Sequence, residues 1–288
     1  VDPIVFSRHP ELERPTLVTA FRGWNDAGES ASAAATFLKE RWKARMFARL
    51  DPEEFFDFQV TRPVVKLVDG VSRVIEWPPN EFHHARVEGR DVVLFIGGEP
   101  NVRWRTFATA IVDMGRNLGA ERLVTLGAFL ADVAHTREVP VVGSAPDPEE
   151  AARLELSTSR YEGPTGIVGV VHDLSNRAGL PSVSFWAAVP HYVPAGINPK
   201  AVLALVSRVG TFLEVPVDAQ ELAPAVTAWE QRVTELVDEN ETLSEYVRRL
   251  EEAAATAPTP NVSGESLAAE VERFLRDIGP EGQRGEER

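Results

Sequence analysis

TLVTAFRGWNDAGESASAAATFLKERW, residues 16–42, sets a β-rich run, a glycine-bounded turn and an alanine-rich run side by side. TLVTAF has the branched and aromatic content of a strand, and AGESASAAATFLKERW has the Ala, Leu and Lys content of a helix. Strand, turn and helix in that order are the unit of an α/β layered fold. The turn itself, GWNDAGES at residues 23–30, matches the phosphate-loop pattern at every place but one, because Glu29 stands where lysine belongs. A working loop holds its anion with backbone N–H groups and that lysine. One unit-charge pair at ~4 Å and an effective dielectric near ~20 amounts to about 4 kcal/mol, so Glu29 and Asp26 together repel a polyphosphate. The same residues spell a helix start. Asp26 is the expected N-cap, and Glu29 at N3 meets the positive end of the helix dipole and completes a capping box.

The pattern recurs along the chain. VTRPVVKLVDGVSRVIEW holds two β-forming runs joined at Asp69-Gly70, a hairpin signal that makes the sheet mixed, and Pro63 confines its strand to an edge. DVVLFIGGEP is a second strand with a loop, followed by a helix from about Trp104 to Leu118 that ends on Gly119. RLVTLGAFLA, VPVVGSAP and SVSFWAAV read as strands, and GIVGVVHDLSNRAGLP as a helix. NPKAVLALVSRVGTFL is another, with Asn198 as cap and Pro199 at N1. DPEE occurs at residues 51–54 and 147–150, each time an N-cap, a proline and an N3 glutamate that should open a short helix. The expected fold is a three-layer α/β/α arrangement around a mixed sheet.

Beyond residue 217 the character changes. Val226, Trp229, Val233, Leu236, Asn240, Leu243, Val247 and Leu250 alternate at spacings of three and four, an a/d repeat with one polar member at Asn240. A single long helix of roughly 48 Å is expected at about 1.5 Å per residue, pairing with another helix or lying on its own domain. The organisation that follows is an α/β core over 1–217, a heptad helix over 218–256, and a linker, short helix and disordered acidic tail over 257–288.

The net charge of -14 is concentrated, since residues 218–288 hold 17 acidic and 7 basic side chains. An acidic tail on a nearly balanced body argues against nucleic-acid binding, which needs clustered lysine and arginine. There is no cysteine, which removes disulfides, thiolate catalysis and cysteine zinc sites. His83-His84 has no third ligand at a metal-binding spacing and reads as a pair of solvated loop histidines, so neither a metal nor a cofactor is expected. No apolar run is long enough to cross a membrane, and the first residues lack the features of a secretory signal, so a cytoplasmic protein is expected.

Ligand sites of open α/β sheets gather at loops beyond the carboxyl ends of the strands. Those loops here carry Trp24, Asn25, Asp26, Glu99, Arg103, His135, Arg137, His191 and Tyr192. Two acids, two histidines and arginines are the ingredients of an acid–base site with an anion clamp, or of a partner surface. No spacing among them is diagnostic, and no Gly-x-Ser-x-Gly elbow anchors a hydrolase triad. No catalytic residue is assigned.

FRGWNDAGESA, DPEEFFDFQVTRPVVKL, IEWPPNEF, IGGEPNVRWRTFA, AHTREVPVVGSAP and GLPSVSFWAAVPHYVPAGINPKAVLAL together resemble the proteasome assembly chaperone 2 family, in its actinobacterial branch. The resemblance implies a fold related to the purine nucleoside phosphorylases, homo-oligomers with trimers among them, and proteasome subunits as partners. The combined expectation is a non-enzymatic, oligomeric protein-binding module. The alternative is a nucleoside-like small molecule bound or transformed at the strand-end loops.

Overall fold

Strand β2 (Thr16–Arg22) alternates two apolar sets, and the sheet takes its two covered faces from that alternation. Val18 and Ala20 face one core cluster, Leu17 and Phe21 the other. The computed structural model describes residues 3–156, 162–193 and 195–256. The expected linker, short helix and acidic tail lie outside these residues. In chain order the remaining elements are β1 (Ile4–Phe6), α1 (Ser30–Arg41), β3 (Arg45–Leu50), β4 (Val64–Val68), β5 (Ser72–Glu76), β6 (Glu81–Val87), β7 (Arg90–Gly98) and α2 (Trp104–Asn117). Then follow β8 (Arg122–Ala131), β9 (Val141–Ser144), α3 (Pro148–Arg153), α4 (Ile167–Arg177), β10 (Ser182–Pro190), α5 (Pro199–Leu213), α6 (Ala223–Asp238) and α7 (Glu241–Thr256).

Eight strands form one mixed sheet in the order β1-β3-β6-β7-β2-β8-β10-β9. The centre, β7-β2-β8-β10, is parallel, and antiparallel strands flank it on both sides. Helices α1 and α5 bury Ala31, Ala34, Ala35 and Leu38 with Ala201, Leu205 and Val209 on one face. The opposite face carries α2 and α4, with Phe107, Ile111, Val168 and Val171 against Phe95 and Phe21. These are the three expected layers. The helix-start signals hold as well: Asn198 accepts from the Lys200 and Ala201 amides, and Asp51 and Asp147 cap their turns.

Three local expectations change. The β4–β5 hairpin forms around Asp69-Gly70, but it is a separate two-stranded sheet, and the mixing comes from β1, β3, β6 and β9 instead. His83 and His84 lie within β6 rather than in a loop, with His83 Nε2 3.0 Å from Glu81. The single long helix is two helices broken at Asn240. Asn240 is not a buried seam residue; its side chain is exposed and accepts the Leu243 N–H at 3.1 Å, capping α7. Asparagine satisfies a helix's orphan amides better than it packs, and here that preference prevails.

The apolar stripe therefore folds back on itself. Trp229, Val233 and Val237 of α6 meet Val247, Leu243 and Leu250 of α7 and the strand-end residues Ala134 and Tyr192. Val226 is half-buried, whereas Leu236 is 46% exposed. The buried member of that turn is Val237, one place beyond the heptad position. The two successive spacings of four, Trp229 to Val233 to Val237, suit straight-helix packing on a body, where a coiled coil needs alternating threes and fours.

Candidate functional site

The carboxyl ends of β2, β7, β8 and β10 place all the expected loops at one edge of the sheet, where three separate networks take them up. The first ties β2 to β7 and α4. Asn25 is 2% exposed, and its Nδ2 donates to Glu99 Oε1 at 3.1 Å. The same carboxylate oxygen accepts the Ile167 amide at 2.9 Å, at the first turn of α4, and the Trp24 amide also donates to this carboxylate. Burial nevertheless holds the Glu99 carboxyl above its ordinary range, since desolvation outweighs these three donors. Gly166 sits against Asn25 so closely that a Cβ there would lie 1.8 Å from Nδ2. Asn25 Oδ1 is buried and has no hydrogen-bond partner. The Trp24 ring is half-buried beside this network.

Asp26 serves α1, as its residue type suggests, but from further away than expected. Residues 27–29 make a tight turn first, and Asp26 then accepts from the Ala31 amide at 2.7 Å, the Ser32 amide at 3.1 Å and the Ser32 hydroxyl at 2.5 Å. Burial is again the larger influence and raises its pKa. Glu29 is not at N3: it adopts a left-handed φ of 45° just before α1, with no side-chain cap. The capping box fails because the extra turn moves the helix start to Ser30.

The second network joins β8 and β10 to α6. The His135 side chain and backbone both meet Tyr192 Oη, at 3.0 Å through Nδ1 and 2.8 Å through the amide. Its Nε2 lies 3.1 Å from Thr234 Oγ1 on α6. Lys200 donates to the His135 carbonyl at 2.8 Å and pairs with Glu230. Burial first, then the Lys200 charge, hold the His135 pKa below its ordinary value, and burial pushes the Tyr192 phenol up to about 12. The imidazole is thus neutral and the phenol protonated at neutral pH.

The third network belongs to α7. Tyr246 donates to Asp132 at 2.7 Å and faces His191 Nε2 at 2.9 Å, and Arg137 reaches the Glu251 carbonyl at 3.4 Å while Thr136 bonds its carboxylate. Burial, reinforced by the Asp132 bond, raises the Tyr246 pKa. Arg103 belongs to none of the three; it pairs with Glu54 and lies over the Phe55 ring at 5.8 Å. Among the described residues, no three His, Asp or Glu side chains gather as metal ligands. The partners Thr234 and Tyr246 carry no sequence signal for this role, since they become neighbours only when α6 and α7 fold back, and Lys200 reaches the His135 carbonyl from α5, 65 residues along the chain. Gly166, ahead of an apolar helix, was the one such position that local pattern marks.

With this arrangement in view, the chain can be placed among known proteins. Its sequence matches the PAC2 family over residues 20–237. The chain belongs to the PAC2 family. A PAC2 family protein from Streptomyces avermitilis is 47% identical, with a TM-score of 0.76 over 81% of this chain and 99% of that one. A proteasome-assembly chaperone homologue from Mycobacterium tuberculosis is 46% identical, with a TM-score of 0.74 over the same shares, 81% and 99%. An archaeal proteasome activator from Pyrococcus furiosus shares the fold at 17% identity, with a TM-score of 0.67 over 81% of this chain and 97% of that one. No curated protein matches the chain. The PAC2 relatives bear out the α/β architecture and its actinobacterial character. No helix among the described residues is long and apolar enough to cross a membrane.

Proposed function

We propose that this PAC2 protein is a non-enzymatic, homo-oligomeric protein-binding module that acts on proteasome subunits during assembly. One observation carries the reading: at the strand ends, the side chains suited to acid–base chemistry are occupied by the protein itself. His135 is held by Tyr192 and Thr234, His191 faces Tyr246 beside Asp132, and Glu99 binds Asn25 and the start of α4. An edge roofed by two helices presents their outer surface, which suits a macromolecular partner better than a small substrate. The 46% identity to a proteasome-assembly chaperone homologue supports the choice of partner. Purified proteasome α-subunits, mixed with the protein and followed by native mass spectrometry, test it. A complex of defined stoichiometry is expected, and α-subunits that assemble alone at the same rate, without binding, would overturn the reading.

A second reading is kept by one atom. Asn25 Oδ1 is buried and unpaired at the carboxyl end of β2, the place where open α/β sheets bind ligands. A nucleoside-like molecule with a donor group would satisfy it. Thermal shift with nucleosides, phosphate and ATP at millimolar concentration tests this, and an unchanged Tm with all of them eliminates it.

A further inference from the structure

The β4–β5 hairpin has too little support from its own chain. All ten strand residues are exposed, and the register sets Val65 opposite Ile75 and Leu67 opposite Arg73 on one face. Val64, Val68 and Val74 lie on the other face, so neither side is the polar one. Leu67 is 61% exposed, Val71 at the tip 84% and Trp77 at the root 51%. Phe58 meets Trp77 at 4.8 Å, and Lys66 pairs with Glu76 inside the hairpin. A two-stranded hairpin with no covered face is marginal in water. Apolar side chains exposed on both faces, at the tip and at the root make one contiguous patch of the kind that marks an interaction surface.

Beside the root lies a groove of about 740 Å3, bordered by Val5, Phe58, Ile75, Trp77, Arg22 and Glu53. Its charges and those of the hairpin are complementary. Among the described residues, Arg22 and Glu53 have no side-chain ion pair, and neither do Asp69 and Arg73 near the tip. A surface apolar on both faces needs a companion present whenever the chain is folded, and apolar, permanent interfaces are characteristic of obligate homo-oligomers.

From this geometry we infer that the hairpin is an assembly arm, seated in the groove of a second copy of this chain. Its apolar faces are covered there, with Asp69 and Arg73 answering the partner copy's Arg22 and Glu53. Exchange of arms around a closed symmetry leaves no arm uncovered. The inference rests on the homo-oligomeric part of the function proposed above and names the element responsible.

The absence of cysteine permits a direct test. Val71→Cys and Glu53→Cys are made separately, the two proteins are mixed, exchanged and treated with a short thiol cross-linker. A covalent 71–53 species between chains is expected; 71–71 products alone, or none, would overturn the seating. In parallel, solution mass is measured for the wild type, for Leu67→Glu with Ile75→Glu, and for Leu236→Glu on α6 as a control. Loss of the oligomer in the hairpin variant alone, with unchanged circular dichroism, is expected. An oligomer that survives those glutamates sinks the arm and leaves the oligomeric reading standing, whereas a monomeric wild type sinks both.

Discussion

One phenol oxygen holds both the backbone and the side chain of one histidine. Tyr192 Oη accepts the His135 N–H at 2.8 Å and meets Nδ1 at 3.0 Å. Having accepted from the amide, the hydroxyl donates its proton to Nδ1, which leaves Nε2–H to donate to Thr234 on α6. A strand-end loop, a second loop and the docked helix are thereby joined through one neutral tautomer. Tyr192→Phe strands a partly buried amide and an imidazole nitrogen, at a cost of about 1–3 kcal/mol. Amide hydrogen exchange is expected to quicken throughout α6 while α1 stays protected. Equal protection of α6 in the variant would refute this account of the docking.

Acid should undock the same helix. The folded-state pKa of His135 lies below its unfolded value because burial and Lys200 oppose the charge, with Glu230, Asp238 and Glu251 offsetting only part. Above the unfolded value of about 6.5 both states are neutral and pH has no effect through this group. Below it the unfolded chain takes the proton first, so stability falls as pH falls toward the folded pKa. His84 and His172 shift in the same direction, so the contribution of His135 is isolated by His135→Gln. Loss of α6 protection between about pH 7 and about pH 5.5 is expected in the wild type and should be blunted in the variant. The raised carboxyls Asp26 and Glu99 act with the opposite sign, each favouring the fold as pH falls through its raised pKa toward the unfolded value.

How much of this the sequence discloses depends on whether the physics is local. The strand–turn–helix reading of residues 16–42 needs only propensity and period, and Asp26 does cap α1, while Asn198, Asp51 and Asp147 cap where their neighbours predict. Glu29 fails because one extra turn shifts the helix start, a geometric detail of a single φ that no composition encodes. The heptad reading fails at Asn240 because a seam asparagine and an N-cap asparagine are the same letter, and only the path of the chain distinguishes them. For the candidate site, the sequence puts the named loops at the carboxyl ends of the parallel strands, where the structure also has them. It is silent on Thr234 and Tyr246, whose contacts span 99 and 55 residues.

Asn25 and Gly166 form a pair that can be separated experimentally. A methyl group at residue 166 would overlap Asn25 Nδ2, so Gly166→Ala forces Asn25 out of its contact with Glu99. Overpacking of this kind costs about 1–3 kcal/mol, and the lost hydrogen bond adds to it. Asn25→Ala alone should also destabilise, since it frees the Glu99 carboxylate. In the double variant the clash is gone, so the two costs should sum to less than additivity, by roughly 1 kcal/mol or more. Strictly additive changes in denaturant midpoint would show that the contact is not the constraint.

Asn240 gives a prediction whose sign separates two architectures. In a heptad seam, asparagine at an a position lowers stability, so leucine there would raise it and shift the oligomeric state. In the folded-back pair its side chain caps α7 at Leu243 while its carbonyl accepts the Ser244 amide at 2.9 Å. Leucine cannot accept the first of these bonds, and removal of such a cap costs about 0.5–2 kcal/mol. Asn240→Leu is therefore expected to lower Tm and leave the solution mass unchanged, whereas Asn240→Asp, which keeps the acceptor, should stay near wild type. A leucine variant that is more stable and of higher mass would restore the continuous helix, because only a seam rewards an apolar side chain at that position.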